Sequence, residues 1–147
     1  MVKNRGMATT RTANAHWEGS LLEGQGKVSL DSSKLGTYDV TWASRSEEPG
    51  GRTSPEELIA AAHSTCYSMA LSHGLAGAGT PPEKVDTKAE VTFQPGEGIT
   101  GIHLTVRASV PGLSAADFEK AAQDAKAGCP VSKALAGTTI TLDAALY

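Results

Sequence analysis

Along its first third the chain alternates apolar and polar residues in short runs broken by Gly and Ser, the pattern of half-buried strands. Residues 15–18, 26–30 and 38–42 are the three runs, spaced for a meander or hairpins. Residues 44–51 (Ser-Arg-Ser-Glu-Glu-Pro-Gly-Gly) read as a loop by composition. At Ser54 the period changes. Ser54 as cap, Pro55 at the first helical position and Glu57 three residues after the cap open a helix. Leu58, Ala62, Cys66, Met69, Ala70 and His73 follow helical spacing, which predicts them on the packing face. Thr80-Pro81-Pro82 stops the helix.

Two longer strands follow. Val85, Thr87, Ala89, Val91 and Phe93 alternate with polar residues, as do Ile102, Leu104, Val106, Ala108 and Val110. The segment 94–98 (Gln-Pro-Gly-Glu-Gly) predicts a hairpin between them. Ser114 caps a second helix running to about Ala127, with Gly128 expected in the left-handed position that ends it. Pro130 starts a short helix over 131–135, and Ile140, Leu142, Ala144 and Leu146 alternate as a last strand. The order βββ-α-ββ-α-β is an α+β class, read as a single domain over residues 7–147. Residues 1–6 are polar and precede Met7, a more conventional start; they are expected to be an extension from an upstream start or a cloning remnant.

Composition narrows the function. A length of 147 residues suffices for one domain with its own core. The net charge of −3 and pI near 5.8 leave no basic footprint for nucleic acid or an anionic membrane. No run approaches the roughly 18 apolar residues of a membrane span. The N-terminus has no apolar leader segment, so the cytoplasm is the expected compartment. There a cysteine pair is more often catalytic or redox-active than a permanent cross-link.

The two cysteines, Cys66 and Cys129, are the candidate chemistry. A reactive cysteine acts as its thiolate, which helix N-termini and nearby cations stabilise. Cys129 falls at the cap of the helix that Pro130 begins, a position that favours access and a lowered pKa. Cys66 lies about three turns into its helix on the predicted packing face. To ionise there it needs a positive charge brought from elsewhere. Spacing alone leaves alternatives open: Cys66 as a small inert hydrophobe, Cys129 as an incidental cap, or His63 and Cys66 at i, i+3 as two ligands of a zinc site.

The segments Ser-Pro-Glu-Glu-Leu-Ile-Ala-Ala-Ala-His-Ser-Thr-Cys at 54–66, Val-Pro-Gly-Leu at 110–113 and Ala-Lys-Ala-Gly-Cys-Pro-Val-Ser at 125–132 resemble the OsmC/Ohr family of thiol peroxidases. His63 and the continuation Ser68-Met69-Ala70-Leu71-Ser72 resemble its OsmC branch. The resemblance runs from about Ala15 to Leu146. It implies an intertwined homodimer, with sheets wrapped around central helices that carry the cysteines, and active sites at the dimer interface. It implies reduction of organic hydroperoxides, and of hydrogen peroxide, with Cys66 as the peroxidatic cysteine and Cys129 as the resolving one. Glu56 matches the family glutamate. Arg45 matches the family arginine, with Arg52 as the competitor. No cofactor or metal is expected, and neither nucleic acid nor a membrane as partner.

The implied cycle takes a hydroperoxide, forms a Cys66 sulfenic acid and then a Cys66–Cys129 disulfide. A dithiol reductant, a small molecule or a lipoyl- or thioredoxin-type protein, then restores the thiols. Arginine supplies the cation that Cys66 lacks locally. Glu56 and Cys66 stand ten positions apart on one predicted helix, about 15 Å at 1.5 Å per residue. One arginine cannot span that distance, so the Arg–Glu pair near each Cys66 is expected at least partly from the other subunit. Without the resemblance, Glu56 reads as a first-turn carboxylate matched to the helix dipole, and Arg45 as a solvated loop charge. Other functions on the same residues are a non-catalytic redox sensor, a ligand-binding dimer, or a zinc-dependent hydrolase or metal carrier.

Overall fold

A computed structural model describes residues 6–147. Residues 1–5, most of the expected extension, lie outside the described residues. The chain forms two compact units, one up to Ser54 and one from Pro55 to Tyr147.

In the first unit β1 (Asn14–Glu18), β2 (Gln25–Ser29) and β3 (Thr37–Val40) form an antiparallel meander, as the alternation predicts. Gly26 pairs with Trp17, and a Cβ there would stand 2.6 Å from the indole ring, so only glycine fits. The third strand ends sooner than expected. Trp42–Ser46, divided in sequence between the strand run 38–42 and the loop 44–51, form a short helix, α1. Thr41 Oγ1 accepts the Ser44 amide and Ser44 Oγ accepts the Thr41 amide, both at 3.0 Å. This is a capping box with Ser where Glu or Gln is usual, so composition concealed it. Among the described residues of this unit only Gly26 and Ser44 are buried. Leu21, Leu22 and Leu35 are 55%, 77% and 76% exposed.

The second unit holds the core. Its long helix α2 (Pro55–Gly77) begins at the predicted proline. It ends in a Schellman arrangement: Gly79 is at φ +88°, the Thr80 amide donates to the Leu75 carbonyl and the Gly79 amide to that of Ala76. β4 (Lys84–Gln94) and β5 (Gly98–Ser109) form the predicted hairpin, and β6 (Thr139–Leu146) pairs with β5 in parallel. A parallel pair needs a crossover connection, here α3 (Ala115–Gly128) and α4 (Pro130–Ala134). The predicted inward residues of β5 and its end, Ile102, Leu104, Val106, Ala108 and Val110, are all buried. They pack with Tyr67, Leu71 and Leu75 of α2 and Phe118, Ala122 and Ala125 of α3. The Tyr67 hydroxyl donates to the Ala122 carbonyl at 2.9 Å, tying α2 to α3.

The buried stripe of α2 differs from the expected one. It runs Glu56, His63, Tyr67, Leu71 and Leu75, while Ala62 and His73 are exposed and Met69 is 68% exposed. Apolar residues occupy several sides of this helix, so apolar spacing alone does not select a face. Gly128 is the last residue of α3 rather than a left-handed cap; it is absent from the positive-φ glycines. Cys129, at φ −61° and ψ 125°, ends α3 and begins α4. Among the described residues no helix is long and apolar enough to cross a membrane. The mixed α+β architecture matches the expected class.

Candidate active site

The junction of α3 and α4 is built to hold one sulfur. The Cys129 amide donates back to the Ala125 carbonyl at 2.9 Å, closing α3. Its carbonyl accepts the Lys133 amide at 3.0 Å, opening α4. With its backbone claimed on both sides, the Cys129 side chain has a fixed direction. It is fully buried, which corrects the expected access: a cap position is exposed only when nothing lies over it, and here Cys129 is part of the core cluster. Cys66 is half-buried on α2.

The two cysteines meet. Both are free thiols; Cys66 packs against the core cluster that contains Cys129, and each sulfur shifts the ionisation of the other. The first turn of α4 lies against the sulfurs: Val131 favours the charged form of both, and Ser132 that of Cys129. Burial pushes the Cys66 thiol up, and donating to Cys129 pushes it further, against the pull of the Val131 amide. Burial opposes ionisation of Cys129 too. There the Ser132 amide, the Cys66 thiol, the Ser132 hydroxyl and the Val131 amide together outweigh it and bring the pKa down. The lowered pKa expected of Cys129 is therefore found, produced by converging donors rather than by access. The pair titrates as a unit and holds one charge before two. Burial and the neighbouring sulfur raise the Cys66 thiol, consistent with the expectation that Cys66 needs a cation from elsewhere.

One further contact reaches this junction. His63 is fully buried on α2, one turn before Cys66, and its Nε2 lies 2.7 Å from Ser132 Oγ. His63 Nδ1 is buried with no hydrogen-bond partner. Burial lowers the His63 pKa, so the ring is neutral near pH 7. This geometry gives His63 Nε2 a serine partner rather than a metal partner. Among the described residues no group of three or more His, Cys, Asp or Glu side chains is arranged to hold a metal ion. Sequence reasoning gave His63 and Ser132 no role in the thiol chemistry. The available signals were the position of Ser132, three residues after a helix cap, and the i, i+3 spacing of His63 and Cys66.

The other predicted residues lie at helix ends. Glu56 is buried in the first turn of α2, ten positions before Cys66 on a continuous helix. Arg45 is half-buried in the last turn of α1. Arg52 is exposed and donates to the Gly50 carbonyl at 3.5 Å. Asp39 is held below the usual carboxylate range by its hydrogen bond and charge interaction with Lys27, with a smaller contribution from Arg52. Beside the cysteines a groove of about 770 Å3 runs between α2 and α3. It touches Ala70, one turn after Cys66, and Gly128 and Pro130, which flank Cys129.

Comparison with known proteins meets this geometry. Residues 48–143 match the family model described as OsmC-like protein. The chain is 44% identical over 140 residues to Peroxiredoxin OsmC of Escherichia coli strain K12, covering 93% of this chain and 96% of the relative. It is 32% identical over 133 residues to the organic hydroperoxide resistance protein OhrA of Bacillus subtilis strain 168, covering 87% and 88%. A crystal structure from Legionella pneumophila, described as an organic hydroperoxide resistance protein OsmC, superposes with a TM-score of 0.70. That protein is 26% identical, and the match covers 93% of this chain and 97% of that one.

Proposed function

Because the chain belongs to the OsmC family, we propose that it is a thiol peroxidase that reduces organic hydroperoxides, and hydrogen peroxide, through Cys66 and Cys129. The observation that carries this reading is that the fold brings two free cysteines, 63 positions apart in sequence, together in one buried cluster. The names of two relatives, a peroxiredoxin and an organic hydroperoxide resistance protein, support the substrate class.

The chemistry runs in three steps. The Cys66 thiolate attacks one peroxide oxygen; the S–O bond forms, the O–O bond breaks and the alkoxide leaves as alcohol with a proton. The Cys129 sulfur attacks the resulting sulfenic acid; the S–S bond forms and the hydroxyl leaves as water. An external dithiol then exchanges with the disulfide and returns two electrons. The first step needs the shared charge on Cys66, and a cation beside Cys66 draws it there. Arg45 is the residue proposed for this, steadied by Glu56 and contributed at least partly by the partner subunit. That burial raises the Cys66 thiol supports the need for such a cation. The half-burial of Cys66 against full burial of Cys129 supports the order of the two roles, since the attacking sulfur must meet an external substrate.

The proposed assembly is an intertwined homodimer. The exposed leucines of the first unit and the exposed Met69 on the cysteine-bearing helix support it, because such apolar surface favours a protein partner.

The test is a steady-state assay with cumene hydroperoxide and dithiothreitol. Cys66→Ser should abolish turnover. Cys129→Ser should consume about one equivalent of peroxide and form no intramolecular disulfide. Normal turnover by Cys66→Ser overturns the mechanism.

A further inference from the structure

The reading above uses the two sulfurs and leaves unexplained why a histidine is buried beside them with one ring nitrogen unpartnered. A buried polar atom without a partner carries the cost of its lost hydration, so its arrangement needs a reason. The geometry lines these groups up across two helices: His63 Nε2 lies 2.7 Å from Ser132 Oγ, Ser132 stands three residues after Cys129 at the start of α4, all three are buried, and Ser132 and Cys66 both favour the charged form of the Cys129 sulfur.

Proton positions follow from the ends of this chain. A neutral imidazole carries one N–H and one lone pair. With the proton on Nδ1, the unpartnered atom is a buried N–H, and Ser132 must spend its only hydroxyl proton on Nε2. With the proton on Nε2, the unpartnered atom is only a lone pair. Nε2–H then donates to Ser132 Oγ, and the Ser132 proton is free for the sulfur. Only the second arrangement makes every donor point toward Cys129.

We propose that His63 and Ser132 form a buried donor relay for the resolving step, in which His63 Nε2–H fixes the Ser132 hydroxyl and Ser132 Oγ–H holds the Cys129 sulfur as a thiolate facing Cys66. The proposal rests on Cys129 acting as the resolving cysteine. In that step the Cys129 sulfur bonds to the Cys66 sulfur of the sulfenic acid and is oxidised. The Cys66 S–O bond breaks, and the hydroxide leaves as water by taking a proton from solvent, which replaces the one Cys129 released on ionising. In this relay Ser132 Oγ–H is the group that meets the reacting sulfur. His63 acts through Ser132 and is a positioning residue. The other titratable groups facing Cys129 are Cys66 on α2 and Tyr67, whose hydroxyl is committed to the Ala122 carbonyl.

The test isolates Cys129. In Cys66→Ser protein the sole thiol is Cys129, so its ionisation is read directly from the ultraviolet thiolate absorbance across a pH series. Adding Ser132→Ala should raise the midpoint by about one unit or more, a tenfold loss of thiolate below it. Adding His63→Leu should raise it by a smaller amount, and His63→Gln, whose side-chain amide can still donate, should recover most of that loss. Circular dichroism melts confirm that each variant is folded, and Ser132→Ala, which removes one oxygen, serves if His63→Leu is not. With both cysteines present, Ser132→Ala should slow disulfide formation after a single peroxide addition by about tenfold, as its thiolate fraction falls. An unmoved midpoint in Ser132→Ala overturns the relay. A His63→Gln shift as large as that of His63→Leu overturns the role of His63. The titration does not depend on turnover. A shifted midpoint in a protein without peroxidase activity upholds the donor chain and refutes the peroxidase reading instead.

Discussion

The two units of this chain each contain a three-stranded sheet, and the sheets are used differently. Among the described residues of the first unit, which holds the meander β1-β2-β3, no large side chain is buried. The sheet β4-β5-β6 carries α2 and α3 and buries alternate residues of β5 from Ile102 to Ala108. Alternation along a strand establishes that it pairs. Burial depends on what covers the face. The thiol chemistry sits in the covered unit, where two helices and a junction fix both sulfurs. The candidate arginines sit in the uncovered one.

The largest expected contrast is in stability. Leu104→Ala removes a fully buried side chain from the centre of the second sheet and should cost about 2–5 kcal/mol. Leu22→Ala touches a side chain that is 77% exposed in one chain. Its effect should be smaller and should grow as protein is diluted, because a proposed second subunit covers it and dimer stability follows mass action. Thermal melts at several protein concentrations separate the two. An equal cost at every concentration would mean that the first unit has a core of its own.

A smaller contrast is catalytic. Arg45→Ala should lower kcat/KM for cumene hydroperoxide by about 10- to 100-fold, the thiolate lost when a cation worth one to two pKa units is removed. Arg52 is exposed, whereas Arg45 is half-buried in the last turn of α1. Arg52→Ala should therefore cost less than Arg45→Ala. The reverse order would make Arg52 the active arginine and return Arg45 to a solvated charge.

These contrasts track what local sequence can carry. The hairpin, the inward residues of β5, the proline at the start of α2 and the Ser114 cap were legible, because each depends on a few neighbouring residues. The buried stripe of α2 was not, since Ile59, Ala62, Met69 and Leu71 spread apolar surface around the helix and only the tertiary neighbours choose a side. The burial of Cys129 was missed for the same reason: a cap residue is exposed until another helix crosses it. The meeting of Cys66 and Cys129 came from family resemblance; no spacing rule contains it. The partner of His63 lies 69 positions away in sequence, beyond any motif that reads neighbours.

The smallest contrast sets one helix cap against another. Ser114 Oγ accepts the Asp117 amide at 3.2 Å and starts α3, whose Phe118, Ala122 and Ala125 are in the core. Ser114→Ala should cost about 1 kcal/mol, and because α3 unfolds with the core, the loss should appear as a lower global melting temperature. Thr41 makes the equivalent bond to Ser44, but its helix has five residues, and among the described residues of its unit no large side chain is buried. A helix that short has little stability of its own. Thr41→Ala should therefore open α1 locally, with faster hydrogen exchange at Ser44 and Arg45 and a global melt moved by less than about 0.5 kcal/mol. Arg45 rides on the last turn of α1, so the same variant should lower peroxidase activity without lowering stability. A matching fall in both would place α1 inside the cooperative core and erase the distinction between the two units.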